Sequence, residues 1–136
     1  MDIGEKAAQY NKNGYNCAQS VLCVCGEHTG LDEKTALAVS SGFGGGLRSG
    51  EVCGAIAGAV MALGLVFPYD DCTNLESKHR AARLAQECVE RCRQACGAVT
   101  CRDLKAPDGL CIKDKAALIA ACARIAEEMI NENKEK

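Results

Sequence analysis

The sequence predicts an all-α protein, a compact bundle of about six helices with a glycine-rich loop before a central apolar helix. Three observations support this class. Capping residues recur ahead of apolar stretches with helical spacing, glycines separate these stretches, and no segment alternates apolar and polar residues for long enough to form a strand. The length suits a single cysteine-rich helical domain over residues 1–136. Because aromatic residues make up only 4% of the chain, we expect a core of small aliphatic side chains and cysteines.

Polar capping residues predict the first three helices. Asp2, followed three residues later by Glu, opens a first helix that ends near Gly14. Asn16, followed three residues later by Gln, opens the second, and Asp32 caps the third. The apolar positions expected along the second and third helices are Ala18, Val21, Leu22, Cys25, Ala36, Val39 and Phe43.

A glycine-rich loop from Gly42 to Gly50 precedes the fourth and most apolar helix. Ser49 is the predicted cap of this helix, which continues to about Phe67. Gly54 and Gly58 lie one helical turn apart and leave a groove in which another helix can pack closely. The groove could take a helix of the same chain or of a second copy, so a homodimer is one expectation.

The last part of the chain predicts a long fifth helix, a short turn and a final helix. Thr73, with Glu three residues later, forms a capping box that opens the fifth helix, which runs to about Cys96. Thr100 caps a short turn, and Asp114 opens the last helix. The apolar stripe of that helix consists of Leu118, Cys122, Ile125 and Met129.

Composition and charge exclude several classes of function. Sixteen basic residues balance eighteen acidic ones, and no basic face is evident, so no nucleic-acid binding is expected. The longest apolar run, residues 52–67, is short for a membrane span and contains glycines, so no membrane insertion is expected. Residues 1–14 are polar and lack the apolar core of a secretory signal, which favours a cytoplasmic protein.

Eleven cysteines are the most unusual feature of the composition. Their odd number and their position inside helical segments indicate free thiols in a reducing compartment rather than a disulfide scaffold. Four of them lie at or near predicted helix starts: Cys17 follows a cap, Cys101 follows another, Cys53 lies near the first turn of the fourth helix, and Cys111 precedes the last helix in a loop. Since a helix N-terminus stabilises a thiolate, these positions suit a nucleophile or a metal ligand.

The other seven cysteines are predicted mainly as packing residues. Cys88, Cys92 and Cys96 recur every four residues on one side of the fifth helix, which favours a core stripe over a ligand or redox role. Cys122 is expected in the core, and Cys72 in an exposed loop. Cys23 and Cys25 point to different sides of a helix, so one is expected in the core and the position of the other stays open. No Cys-x-x-Cys occurs, which argues against a thioredoxin-type dithiol, a zinc ribbon and covalent haem.

Several motifs together resemble the redox-active family that is named for its C, GCAxxG, C, C cysteine pattern. The resemblance covers essentially the whole chain, and its most specific part is the glycine loop followed by Cys-Gly-Ala-x-x-Gly. The motif here reads Cys-Gly-Ala rather than Gly-Cys-Ala, so it is anchored on Cys53. The segments that carry the resemblance are residues 16–19, 44–46, 53–58 and 62–65, with the later Cys101 and Cys111.

The resemblance implies that the family's four cysteines are Cys17, Cys53, Cys101 and Cys111. A similar domain occurs in split-Soret cytochromes, which implies an iron–sulfur cluster held by these four thiolates and used in electron transfer with a redox partner protein. In that hypothesis the backbone N–H groups of Gly44, Gly45 and Gly46 approach the cluster sulfides.

Three other functions remain open at this stage. In a thiol–disulfide protein, Cys53 or Cys17 would attack and Cys101 or Cys111 would resolve. A structural zinc site could use the same four sulfurs. The third alternative is a helical interaction domain whose cysteines are inert.

Overall fold

A computed structural model describes residues 1–134, and this part of the chain is all-helical. The predicted fold class is confirmed, but about six helices become nine α-helices and a turn at Gly46–Gly50, here called the glycine turn. The additional elements are mostly single turns of four residues, too short to give a periodic signal. The helices are α1 (Ile3–Lys12), α2 (Cys17–Val24), α3 (Gly26–Thr29), α4 (Glu33–Ser40), α5 (Gly54–Val66), α6 (Leu75–Cys96), α7 (Cys101–Leu104), α8 (Leu110–Lys113) and α9 (Lys115–Lys134).

Most of the predicted helix starts are confirmed by hydrogen bonds from backbone N–H groups to capping side chains. Asp2 and Asn16 both form complete capping boxes, in which the residue three positions later returns a bond to the cap. The side-chain oxygens of Asp32, Thr100 and Asp114 each accept a hydrogen bond from the backbone N–H three residues later. These bonds satisfy N–H groups that have no partner within the helix.

Two predicted caps are wrong. Asn74, not Thr73, caps α6, because the Asn74 side chain accepts a hydrogen bond from the backbone N–H of Ser77 at 3.0 Å. The Thr73 hydroxyl instead donates to a carboxylate oxygen of Asp71 at 2.7 Å. Ser49 does not cap the fourth predicted helix, since that helix, α5, begins only at Gly54.

The third predicted helix is shorter in the structure than its apolar pattern indicated. Helix α4 ends at Ser40, whose hydroxyl donates to the Ala36 carbonyl at 2.6 Å, and Phe43 lies beyond it in the approach to the glycine turn. Phe43 is half-buried, and its carbonyl oxygen lies against Gly54 of α5, so the apolar pattern continues past the end of the helix.

Helix α5 is the central element, and its glycines determine how α2 packs on it. A Cβ atom on Gly58 would lie 2.8 Å from the Ala18 carbonyl oxygen, and one on Gly54 would lie 2.7 Å from the Phe43 carbonyl oxygen. Only glycine allows this approach. The groove is therefore filled by α2 of the same chain, and a second copy cannot use it to form a homodimer.

Helices α6 and α9 complete the core on the other side of α5. The predicted stripe of α9, Leu118, Cys122, Ile125 and Met129, is buried, as are Cys88, Cys92 and Cys96 of α6. Ion pairs join α9 to its neighbours: Arg124 binds Asp2 of α1 at 2.8 Å, and Arg91 of α6 binds Glu132 at 2.7 Å. Across residues 1–134, every helix falls short of the length and apolarity that a bilayer crossing requires.

Candidate cysteine site

The four cysteines that the sequence singled out line a single cavity of about 120 Å³. Cys53 and Cys101 are buried, and Cys17 and Cys111 are half-buried. One water molecule needs about 15 Å³ of such space, so the cavity can hold a group of several atoms. Four separate segments contribute these thiols, and only the folded chain brings them together.

Cys17 is the first residue of α2, as predicted, and its position depends on the cap before it. The Asn16 side chain accepts a hydrogen bond from Gln19 N–H at 2.9 Å, and it donates to the Ser41 carbonyl at 3.1 Å. The second bond ties the start of α2 to the end of α4. Gly44 packs against the Asn16 side chain as well, since a Cβ there would lie 2.7 Å from the Asn16 Cβ.

Cys53 and Cys101 are brought together by two backbone hydrogen bonds around an isolated antiparallel bridge between Val52 and Thr100. The N–H of Cys53 donates to the Val99 carbonyl at 2.9 Å, and the N–H of Cys101 donates to the Glu51 carbonyl at 2.6 Å. The bridge therefore fixes the residue before α5 against the first residue of α7.

The glycine turn and Gly45, the residue before it, supply one wall of the cavity. Gly45, Gly46, Leu47 and Arg48 have φ values of 64°, 61°, 60° and 55°, a run of left-handed residues that costs energy at Leu47 and Arg48. Gly45 lines the cavity, and a Cβ on Gly46 would lie 2.9 Å from the Cβ of Cys101. Of the three glycines predicted to approach a bound group, only Gly45 reaches the cavity; Gly44 and Gly46 support Cys17 and Cys101 from behind.

Cys111 lies in helix α8 rather than in a loop, which corrects the prediction from sequence. It is the second residue of α8, and Gly109 precedes that helix as its N-cap. The helix is a single turn without a side-chain cap, so no capping residue marked it in the sequence.

Three cations that no sequence motif indicated also line the cavity, whereas no carboxylate does. They are Arg48, Lys105 and Lys115. None of the three forms an ion pair with any residue from 1 to 134. A repeated spacing could have revealed two of them, because each lysine follows Cys101 or Cys111 by four residues.

Burial changes the pKa of two cavity thiols, Cys17 and Cys53, in a direction opposite to the one expected from helix starts. Burial raises the pKa of Cys53 to about 12, although the N–H groups of Ala55 and Ile56 act to lower it. Burial also raises the pKa of Cys17, against the opposing effect of Lys115. The expected helix N-terminal effect is present at Cys53 but is outweighed by loss of water. Neither thiol is thus activated as a nucleophile.

Cys53 is expected to react with iodoacetamide at least about 100-fold more slowly than the exposed Cys72 at pH 8, because only the thiolate is nucleophilic. Its rate should rise about tenfold per pH unit between pH 7.5 and 9.5, since the pKa of about 12 lies above this range. Mass spectrometry of quenched, digested samples measures both rates. A Cys53 rate that levels off below pH 9 would contradict the assignment.

The remaining cysteines lie outside the cavity. Cys72 is exposed and Cys25 is buried while Cys23 is half-buried, as predicted. The other four, Cys88, Cys92, Cys96 and Cys122, are buried between α6 and α9. Within residues 1–134, no group of three or more His, Cys, Asp or Glu side chains converges closely enough to hold a single metal ion.

Fold and site together define a small all-helical protein whose distinguishing feature is a cavity lined by four thiols. The chain belongs to the family described as "Putative redox-active protein (C_GCAxxG_C_C)", whose sequence model matches residues 15–135. The resemblance seen in the sequence is thereby confirmed, and the protein is a cysteine-rich member of a redox-active family. Neither the curated proteins nor the solved structures gave a match.

Proposed function

We propose that the protein is an electron carrier that binds an iron–sulfur cluster in the four-cysteine cavity through Cys17, Cys53, Cys101 and Cys111. The observation that carries the proposal is the composition of the cavity wall: four thiols, three cations and no carboxylate around about 120 Å³. Such a cluster, once bound, accepts and donates single electrons.

The donor set fits a cluster on chemical grounds. Thiolate sulfur is the usual ligand of iron–sulfur clusters, and four cysteines complete the common ligand set. Carboxylates, which favour harder ions such as Mg²⁺ and Ca²⁺, are missing from the cavity wall. The backbone of Gly45 can approach a bound group closely because it carries no side chain.

The charges of the wall fit the same group. A cluster with four thiolate ligands is an anion, and Arg48, Lys105 and Lys115 would balance its charge. Without such a group, no carboxylate of the cavity wall balances these three cations.

The acidity of the thiols favours a cluster over thiol–disulfide exchange. A raised pKa keeps Cys17 and Cys53 protonated at neutral pH and makes them poor attacking groups. A metal centre overcomes the same barrier, because coordination deprotonates a thiol outright.

A zinc site is less well supported by the geometry. Zinc binds sulfur at about 2.3 Å in a tetrahedron, so its four ligands must converge on one point. The described side chains do not converge in this way. In a cluster the ligands bind different iron atoms, and wider spacing of the thiols suits that arrangement.

The test is anaerobic reconstitution of the full chain with ferrous iron and sulfide, followed by desalting. We expect a brown protein with stoichiometric iron and acid-labile sulfide, and with visible absorption that bleaches on reduction. A parallel sample receives zinc instead. The Cys72→Ala variant, altered at an exposed cysteine that does not line the cavity, should load as well as the unaltered chain.

A colourless, iron-free protein after reconstitution would refute the proposal. Stable retention of zinc together with rejection of iron would refute it as well and favour the structural zinc site.

A further inference from the structure

A second group of thiols lies in the core, outside the four-cysteine cavity. Cys88, Cys92 and Cys96 occupy successive turns of the buried face of α6, and Cys122 faces them from α9. Their exposed fractions are 0%, 0%, 7% and 0%. We call this set the α6–α9 thiol group. The electron-carrier proposal makes no use of it.

The members of this group interact across the helix interface. Cys122 interacts with the thiols of both Cys92 and Cys96, and Cys92 also interacts with Cys88. Helices α6 and α9 pack against each other, and the ion pair between Arg91 of α6 and Glu132 of α9 joins them near the C-terminal end of α9. All four thiols belong to the same buried core.

We propose that Cys122 forms a disulfide with Cys96 or Cys92 when the protein meets a low-molecular-weight disulfide, so that α6 becomes covalently tied to α9. The group is a cysteine modification site separate from the four-cysteine cavity, and the proposal does not rest on cluster binding.

Cys96 is the natural entry point for the reaction. It lies in the last turn of α6, before the left-handed Gly97, and it is the member of the group with measurable exposure. Its interaction with the Cys122 thiol lowers its pKa, which favours the attacking thiolate. The Cys122 thiol, whose pKa is raised by its interactions with Cys92 and Cys96, then acts as the resolving group.

The chemistry balances in two exchanges. The Cys96 thiolate attacks one sulfur of the small disulfide, which forms a mixed disulfide and releases one small thiol. The Cys122 sulfur then attacks the Cys96 sulfur, loses its proton and releases the second small thiol. Two electrons and two protons pass from the protein to the oxidant, which leaves as two thiols.

A disulfide between Cys96 and Cys122 would close a loop around a segment that contributes side chains to the cavity. Residues 97–121 lie between the bonded cysteines and carry Cys101, Cys111, Lys105 and Lys115. A disulfide stabilises a protein mainly by restricting the unfolded chain, so oxidation at α6 and α9 would make opening of this segment less favourable.

The test incubates the folded, cluster-free chain with oxidised glutathione, blocks free thiols by alkylation and digests with trypsin. Trypsin places Cys92, Cys96 and Cys122 on three different peptides. We expect the peptide that carries Cys122 to be joined by a disulfide to the peptide that carries Cys96 or to the one that carries Cys92. Because Cys96 and Cys101 lie on the same tryptic peptide, fragment spectra identify which of the two is bonded. Hydrogen exchange in residues 97–121 should slow several-fold on oxidation.

Matched variants keep the test decisive. The joined peptide should vanish in Cys122→Ala, whose neighbours in α9 are already alanines, and should persist in Cys88→Ala. The double variant Cys92→Ala/Cys96→Ala leaves Cys122 in place and should also lose it. The proposal is overturned if Cys122 is still recovered in alkylated form when Cys72 is fully oxidised. It is also overturned if the double variant still forms an intramolecular disulfide at Cys122.

Discussion

Replacing Gly46 with alanine is expected to lower the free energy of unfolding by about 3 kcal/mol or more. Two costs add at this position. The φ of 61° is left-handed, which an alanine adopts at about 1–2 kcal/mol. The new Cβ would also lie 2.6 Å from the backbone nitrogen of Glu51 and 2.9 Å from the Cβ of Cys101, so the bridge that places Cys101 must shift. Urea unfolding followed by circular dichroism measures the change.

Two neighbouring glycines provide a graded control for this prediction. Gly45 has a φ of 64° but only ordinary contacts for an added Cβ, so Gly45→Ala should cost about 1–2 kcal/mol from strain alone. Gly42 has open space around it and no left-handed φ, so Gly42→Ala should change stability by less than about 0.5 kcal/mol. Equal effects of all three substitutions would mean that the close packing at Gly46 is not what constrains the turn.

Replacing Cys53 with alanine is expected to remove at least about nine-tenths of the iron that the reconstituted protein retains after desalting. Cys53 is the most deeply buried of the four cavity cysteines, at 3% exposure, and its loss leaves three thiolate ligands and a gap in the cavity wall. Iron and sulfide analysis, with the visible spectrum, gives the readout. The measurement is made on protein whose helical content matches that of the unaltered chain.

Cys88→Ala is the matched control, because Cys88 is also a buried cysteine but lies outside the cavity. It should retain iron at the level of the unaltered chain. If Cys53→Ala kept its iron while Cys88→Ala lost it, the ligand set would have been assigned to the wrong group of cysteines.

Local signals in the sequence predicted much of the fold and part of the site. Asn16 and Thr100 were recognisable caps, and the residue after each, Cys17 or Cys101, is the first of its helix in the structure. A capping side chain acts on N–H groups only two or three residues away, so its effect can be read without knowing the tertiary structure.

Features that depend on distant segments could not be predicted in this way. Ser49 resembled a cap, but four residues, among them the left-handed Gly50, separate it from Gly54, where α5 begins. Arg48 reaches the cavity because its backbone is left-handed, a conformation that its residue type does not predict. The raised pKa of Cys53 depends on how completely the folded chain excludes water from it, and helix position alone gave the opposite sign.

The order in which the four cysteines occur along the chain has a consequence for biosynthesis. Cys17 and Cys53 are synthesised before Thr100, which forms the bridge, and before the helix that carries Cys111. Ribosomes add about 5–20 residues per second, so several seconds pass between the synthesis of Cys53 and the synthesis of Cys111. Delivery of any shared ligand to all four is consequently a step that follows emergence of residue 111 from the ribosome.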